Sequence, residues 1–326
     1  MTTFKMMRSS PPKTLDESVC VVVVTYQGAK WIRRCLSSLL QSTHNPYVIV
    51  VDNASTDDTV HIVQAEFPDV ALLQSGRNLG FGRGNNLGIS LAMNRGAQFV
   101  FLLNQDAYVL PTTIAELVTF MQREPSFGVV APMHCSPDPD SIDRKTLRGY
   151  LQTYLPEYLA DACVGRVKDH YKTQGVNAAA WFVRSEVFSQ AGGFDPLFFL
   201  YGEDDDLLCR WMHHGVAFAW FPASRVVHLR ESPRAPLPTF WADIKRRARR
   251  RRSNLLVAVK RPHFGTGHMA LVFLAEGFVA PLVDALVLRQ PREWMASVLA
   301  ACGLVFEFPN VVRHARLTAR PGAHFL

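Results

Sequence analysis

Three places in this chain set acidic residues directly against apolar runs, where a carboxylate without a partner is costly. Asp52 closes the apolar run 47–51 and opens Asn53-Ala54-Ser55-Thr56-Asp57. Asn104-Gln105-Asp106 closes a second run, FVFLL. The third is Tyr201-Gly202-Glu203-Asp204-Asp205-Asp206-Leu207, four consecutive carboxylates between Phe198-Phe199-Leu200 and Leu207-Leu208. A solvated acidic turn is not normally flanked in that way. If a helix starts near Glu203, its N-terminal dipole favours these charges, and their repulsion leaves one available as a proton acceptor or to a cation. Helix capping is the simpler alternative there, and equally for Asp57 and Asp58. His228 ends another short apolar run, and beside two acidic motifs it becomes a candidate ligand.

A glycine-rich stretch, GRNLGFGRGNN at 76–86, carries Arg77 and Arg83 and can bring backbone N–H groups and a helix N-terminus close to a phosphate. It lacks the Lys-Ser/Thr ending of a P-loop. Nor does it follow the first strand as a dinucleotide fingerprint does.

These residues need elements to hold them. Val19–Val24, VCVVVV, has the β-branched pattern of a strand buried on both faces. A helix over 28–41 and a strand at 47–51 follow. The alternation continues with helices near 57–66, 84–95 and 112–123 and strands near 70–73 and 98–103. Strands separated by helices indicate an α/β fold with a mostly parallel sheet flanked by helices. In such sheets ligands bind beyond the carboxyl ends of the strands, where the acidic motifs fall. The stretch 132–172 reads as a long irregular segment. Apolar order resumes over 176–183, a helix begins near Glu203, and two short apolar runs follow at 217–221 and 225–229. The working division is a flexible leader at 1–17, a catalytic domain at 18–235 with halves 18–131 and 132–235, and a basic, amphipathic helical region at 236–326.

The net charge of +7 is local: residues 245–252, KRRARRRR, hold seven Lys or Arg and no acid, so the remainder is formally neutral. Arg246, Arg247, Arg249, Arg250, Arg251 and Arg252 therefore point to a polyanionic partner such as an anionic membrane face or a lipid-linked diphosphate. A nucleic-acid footprint would interleave aromatic or base-reading residues, and the run has none. Apolar segments follow at 269–288 and 294–306. Glu276, Pro281 and Asp284 interrupt the first, which reads as an interfacial helix or one packed on the domain rather than a span. The N-terminus lacks a signal-like apolar stretch, so the expected location is cytoplasmic, peripheral at the inner membrane face. Six scattered cysteines, without a C-x-x-C pair, suggest reduced thiols.

Taken in order, VVVVTYQGAKWIRRCLSSLL, VIVVDNASTDDT, GRNLGFGRGNNLGI, FVFLLNQDAYVLP, AGGFDPLFFLYGEDDDLLCRWMHHG and VVHLRES resemble successive blocks of the family-2 glycosyltransferases. The bacterial rhamnosyltransferase-like enzymes of polysaccharide assembly come closest. The resemblance implies a GT-A fold, Rossmann-like with a C-terminal helical extension, and inverting transfer from a nucleoside diphosphate sugar to a saccharide or lipid-linked acceptor. It places Thr25, Tyr26, Asp52, Asn78, Asn104 and Gln105 around the nucleotide sugar. Asp106 becomes the principal carboxylate for Mg²⁺ or Mn²⁺, with His228 as a second ligand. Asp204 matches the catalytic base, with Glu203 beside it. Asn177 and Trp181 fall in the block beneath donor and acceptor, where Trp181 either stacks on a sugar or packs in the core. A nucleotidyltransferase would share the scaffold, but it needs a Gly-rich signature with a basic residue right after the first strand, and none is present.

Overall fold

The computed structural model describes residues 6–7, 18–230, 239–287 and 291–326; most of the 1–17 leader, and the residues around the 235/236 boundary, lie outside them. The chain forms two compact units, one of residues 1–189, 215–231 and 326, the other of 190–214 and 232–325.

The first unit is built on one ten-stranded sheet. Its strands are β1 (Met6–Met7), β2 (Val19–Thr25), β3 (Tyr47–Asp52), β4 (Ala71–Gln74), β5 (Phe99–Leu103), β6 (Ala107–Val109), β7 (Val129–Cys135), β8 (Tyr171–Thr173), β9 (Ala180–Arg184) and β10 (Phe218–His228). The order is β1-β4-β3-β2-β5-β9-β7-β10-β6, with β8 paired to β10. β4, β3, β2 and β5 run parallel, so the ends of three motif-bearing strands lie along one edge. β9 enters antiparallel between β5 and β7, and β7 runs parallel to β10. β2 is buried almost throughout, as its unbroken valine run requires.

Helices α1 (Ile32–Leu40), α2 (Thr59–Glu66), α3 (Phe81–Asn94) and α4 (Thr113–Arg123) connect these strands. In α1 the buried residues are Ile32, Cys35, Leu36 and Leu39, an i, i+3, i+4, i+7 face. It starts later than expected because Gly28 O takes the Trp31 and Ile32 N–H groups in a turn. α3 starts earlier than expected, at Phe81, and takes up half of the glycine-rich stretch. A Cβ on Gly88 would lie 2.3 Å from Val22 Cγ1, and one on Gly84 2.8 Å from Val24 Cγ1. These glycines let the helix press on β2; they are not loop residues.

The segment expected to be irregular is largely ordered. It holds the end of β7, a helical run from Arg144 to Tyr154 with a π turn in its middle, α5 (Pro156–Cys163) and β8. Asp143 caps the run by accepting from Thr146 N at 2.9 Å. The two apolar runs near 217–229 are one strand, β10, with a register shift between Phe221 and Arg225. Pro132 of β7 faces Phe221 at that irregularity, where the lost ladder donor is tolerated. α6 (Ser185–Ala191) follows β9.

The second unit is helical: α7 (Glu203–His213), α8 (Phe240–Val259), α9 (Thr266–Leu274), α10 (Ala280–Val287), α11 (Pro291–Val305) and α12 (Phe308–Thr318). Its core includes Phe198, Leu255, Leu256, Val259, Met269, Phe273, Ala301, Leu304, Val311 and Ala315. Segment 190–214, which the sequence alone sets inside 132–235, thus clusters with the C-terminal helices. Buried ion pairs from Asp195 and Asp206 to Lys260 provide one physical reason.

Candidate active site

At the strand-end edge of the first unit, β2 pairs Thr25 with Asp52 of β3. Thr25 is fully buried, and its hydroxyl donates to Gln105 Oε1 at 2.6 Å. The same oxygen accepts from Tyr26 N at 3.1 Å, while Gln105 Nε2 donates to Tyr26 O at 3.3 Å. Gln105 therefore staples the loop after β2, and Thr25 serves that staple. A Cβ at Gly28 would stand 2.3 Å from both Gln105 Oε1 and Thr25 Oγ1, so a larger residue there would push the staple apart. Tyr26 itself is exposed.

Asp52 is buried and accepts from Ser55 N at 3.1 and 3.3 Å. Burial pulls its carboxyl above the usual range, against those hydrogen bonds. Asp57 serves local structure, accepting from Ala29 N and Thr59 N. Sequence reasoning passed over Asn53. Its Nδ2 donates to Gly80 O at 3.0 Å, and its Oδ1 accepts from Leu79 N at 3.5 Å, which ties β3 to the loop before α3. Asn78 Oδ1 accepts from Gly80 N within that loop at 2.9 Å.

The turn Asn104-Gln105-Asp106 joins β5 to β6, and β6 pairs with the end of β10, His228 opposite Ala107. Leu229 N donates to Asp106 O at 2.9 Å. These ladders bring His228 Nε2 to 3.2 Å from Asp106 Oδ1. Burial alone would raise the Asp106 carboxyl; the His228 contact and the Arg230 charge outweigh it and hold the group below the usual range. Asn104 Oδ1 and His228 Nδ1 are buried without a hydrogen-bond partner. Such orphaned acceptors are what a polar ligand site leaves behind.

Two further groups bore no sequence signal. His134 on β7 is wholly buried with neither ring nitrogen bonded, 6.2 Å from the His228 ring. Burial, then the His228 and Arg230 charges, hold it neutral, well below the ordinary histidine range. Arg230 has φ 44° and places Nε 2.9 Å from Asp143 Oδ2. Gln27 and Ala54, each next to a motif, also have positive φ (50° and 63°). Backbone strain of this kind gathers at sites of function.

Among the described residues no three His, Cys, Asp or Glu converge as a metal cage. Asp106 and His228 supply one carboxylate and one imidazole, a donor set that fits a divalent ion whose remaining ligands come from diphosphate and water. The residues beside Asn177 are tied to the Asn104 turn: Asn177 Oδ1 accepts from Ala179 N at 3.1 Å, and Ala179 O takes the N–H of Asn104. Trp181 requires a correction. It is fully buried on β9 opposite Leu102, and so it packs in the core rather than offering a face to a sugar.

In the second unit the acidic cluster forms the first turn of α7, behind left-handed Tyr201 and Gly202 (φ 72° and 79°). No side chain caps this helix. Its four carboxylates separate by environment. Burial, then the neighbouring Asp204 and Asp205 charges, lift Glu203 to about 7, and its Oε2 is buried without a partner. Burial and the Asp205 charge lift Asp204 to about 6. Asp206 is bound in ion pairs with Arg210 and Lys260. The larger cause is thus desolvation rather than the repulsion that the sequence suggests.

The basic run is only partly free. Arg246 and Arg247 both pair with Asp243, Arg247 and Arg251 with Glu293, and Arg252 with Glu307. The uniform polyanion site read from 246–252 is thereby divided: Arg247, Arg251 and Arg252 clasp α8 to its neighbours, and Arg246 pairs within the helix. Lys245, Arg249 and Arg250 remain exposed.

The profile of Glycosyl transferase family 2 matches residues 20–188. An N-acetylglucosaminyl-diphospho-decaprenol L-rhamnosyltransferase of Mycobacterium tuberculosis is 30% identical over 229 residues, covering 64% of this chain and 75% of the relative. A dTDP-rhamnosyl transferase, RfbF, of Shigella flexneri is 25% identical over 215 residues, covering 66% and 70%. Among solved structures, S. aureus TarS with UDP-GlcNAc superposes with a TM-score of 0.53 at 16% identity, covering 92% of this chain and 88% of that one. The mannosyltransferase PcManGT of Pyrobaculum calidifontis, solved with GDP-Man and Mn²⁺, gives 0.52 at 19% identity, covering 95% and 89%. These two structures bear out the expected GT-A fold.

Proposed function

Because the chain belongs to glycosyl transferase family 2 and is a nucleotide-sugar-dependent glycosyltransferase, we propose that it transfers L-rhamnose, with inversion, to a hydroxyl of a lipid-linked saccharide. Asp204 accepts the proton of that hydroxyl. The observation carrying this reading is the place of Asp204: a half-buried carboxyl in the first turn of α7, next to the buried Glu203 whose Oε2 has no partner, where desolvation and the Asp205 charge lift it to about 6. A base poised near the working pH combines ionisation with proton affinity. Glu203, higher still at about 7, stays largely protonated below neutrality and can donate a hydrogen bond.

On the first unit, Asp52 and the loops stapled by Gln105 and Asn53 hold the nucleotide, with Asn78 and Asn104 offering polar contacts. Asp106 and His228 would hold Mg²⁺ or Mn²⁺. Such an ion acts as a Lewis acid towards the charge that develops on a departing diphosphate. The choice of rhamnose and of a lipid-linked acceptor is supported by the two relatives above, whose names carry rhamnose and, for one, decaprenol.

Peripheral contact with an anionic membrane, at its cytoplasmic face, belongs to the same proposal. Residues 266–287 form a run long and apolar enough to cross a bilayer, yet little of it is buried. Leu271, Leu286 and Val287 are each more than two-thirds exposed. Lys245, Arg249 and Arg250 add the positive charge that anionic headgroups attract. We read the run as lying in the interface. Asp204→Asn is the test of the base. Transfer should fall at least about a thousandfold, while donor binding measured by calorimetry stays within about threefold. Undiminished turnover would remove Asp204 from the role.

A further inference from the structure

The second unit buries a charge network that catalysis as described does not use. Lys260, which ends α8, is 2% exposed. Its Nζ lies 2.6 Å from Asp206 Oδ1 and 2.6 Å from Asp195 Oδ2. Asp206 Oδ2 receives Arg210 Nε at 2.8 Å, and Arg210 also donates to Ala191 O and Gly193 O at 3.1 and 2.7 Å. Asp195 Oδ1 accepts from Leu197 N and meets His314 Nδ1 of α12, each at 2.8 Å. Burial draws the Asp195 carboxyl up, but Lys260 and His314 outweigh it and hold the group well below the usual range.

Stability alone is a poor reason for such a cluster. Desolvating buried ions costs about as much as their attraction returns, and apolar replacements are often as stable. Its geometry suggests another use. α7, α8, α12 and the 190–200 loop all meet on two carboxylates, and one of them stands on α7 two residues after Asp204.

We propose that Lys260 is a positioning residue for the transfer reaction: by clamping Asp206 to Asp195 it fixes the first turn of α7 and keeps the Asp206 charge from acting on Asp204. The proposal rests on Asp204 being the base. The charged groups facing Asp206 are Arg210 on its own helix, Lys260 on α8, and Asp195 with His314 behind it on α12. The charge acting on Asp204 is that of Asp205, which in turn feels Arg261 and Asp206, while Asp204 and Asp205 both act on Glu203. Without Lys260, Arg210 is left to balance the two carboxylates that Lys260 bridges, and the uncompensated charge of the Asp195–Asp206 pair joins that of Asp205 in opposing ionisation of Asp204.

Lys260→Met and Lys260→Arg, assayed beside the wild type and Asp204→Asn, provide the test. Lys260→Met should bind the donor within about twofold of wild type, lose about tenfold or more in kcat, and shift the acid limb of the rate profile upward by about half a unit. Lys260→Arg should restore most of the rate. If Lys260→Met does not fold, the pair Lys260→Met/Asp206→Asn removes a charge of each sign; it should fold, stay slow and keep the limb in place. A folded variant of either kind with wild-type kcat overturns the clamp. So does a loss that follows only the unfolded fraction with an unmoved limb. An inactive Asp204→Asn beside an active Lys260→Met overturns the clamp alone, whereas an active Asp204→Asn overturns the base assignment and the clamp with it.

Discussion

At the scale of single residues, the acidic run of α7 shows how burial divides one motif into different tasks. Asp206 is neutralised by ion pairs, whereas Asp204 and Glu203 sit near 6 and 7. A general base must be ionised, so kcat/KM should rise with pH and level off above about 6, roughly two units above an ordinary aspartate. A pH–rate profile at saturating metal checks this; a limb near 4 contradicts the burial argument. Stability runs the other way. Folding favours the neutral forms of both groups, so their contribution is complete below an unfolded pKa of about 4 and is lost as pH rises through 6 to 7. Denaturation midpoints should therefore fall over the window in which activity climbs. The strand-end residues and the acidic cluster were legible because a carboxylate beside a valine run is conspicuous in sequence. His134, Arg230 and Asn53 were not: what makes each notable is a partner, or the lack of one, distant in the chain.

At the scale of elements, the alternation of apolar runs located β2, β3, β4 and β5 and helices α1 to α4 to within a few residues, since buried parallel strands announce themselves by composition. The glycine-rich stretch shows where that reading stops. Glycine looks the same in a phosphate loop and in a helix pressed on a sheet, and only the packing tells them apart: a Cβ on Gly84 or on the following Gly88 would collide with Val24 or Val22 of β2. Gly88→Ala should accordingly destabilise the first unit by about 1–3 kcal/mol, seen as a lower urea midpoint with an unchanged slope. A neutral result would mean that α3 can back away from β2. β10 was hidden for a related reason. Its register shift interrupts the apolar pattern, so one strand of eleven residues reads as two fragments. The helical turns over 144–163 carry too few buried residues to leave a periodic signal.

At the scale of the whole molecule, family membership and fold were readable from the order of six motifs, but the grouping of 190–214 with the C-terminal helices was not. Two of its causes are long-range: the pairing of Asp195 and Asp206 with Lys260, more than fifty residues away from either, and the packing of Phe198 among the C-terminal helices. If the second unit meets an anionic bilayer, replacing Lys245, Arg249 and Arg250 with Glu should cut binding to vesicles rich in phosphatidylglycerol by at least about tenfold at low salt, while activity on a soluble acceptor survives. Binding that is indifferent to all three would exclude an electrostatic contribution. The clasps to Asp243, Glu293 and Glu307 bear on how that experiment is read. Seven cations within eight residues suggest a surface that responds steeply to ionic strength, yet three carboxylates already act as built-in counterions for four of them. A salt titration should report an effective valence of about four, so the basic run acts as a gentle, reversible tether rather than a permanent anchor.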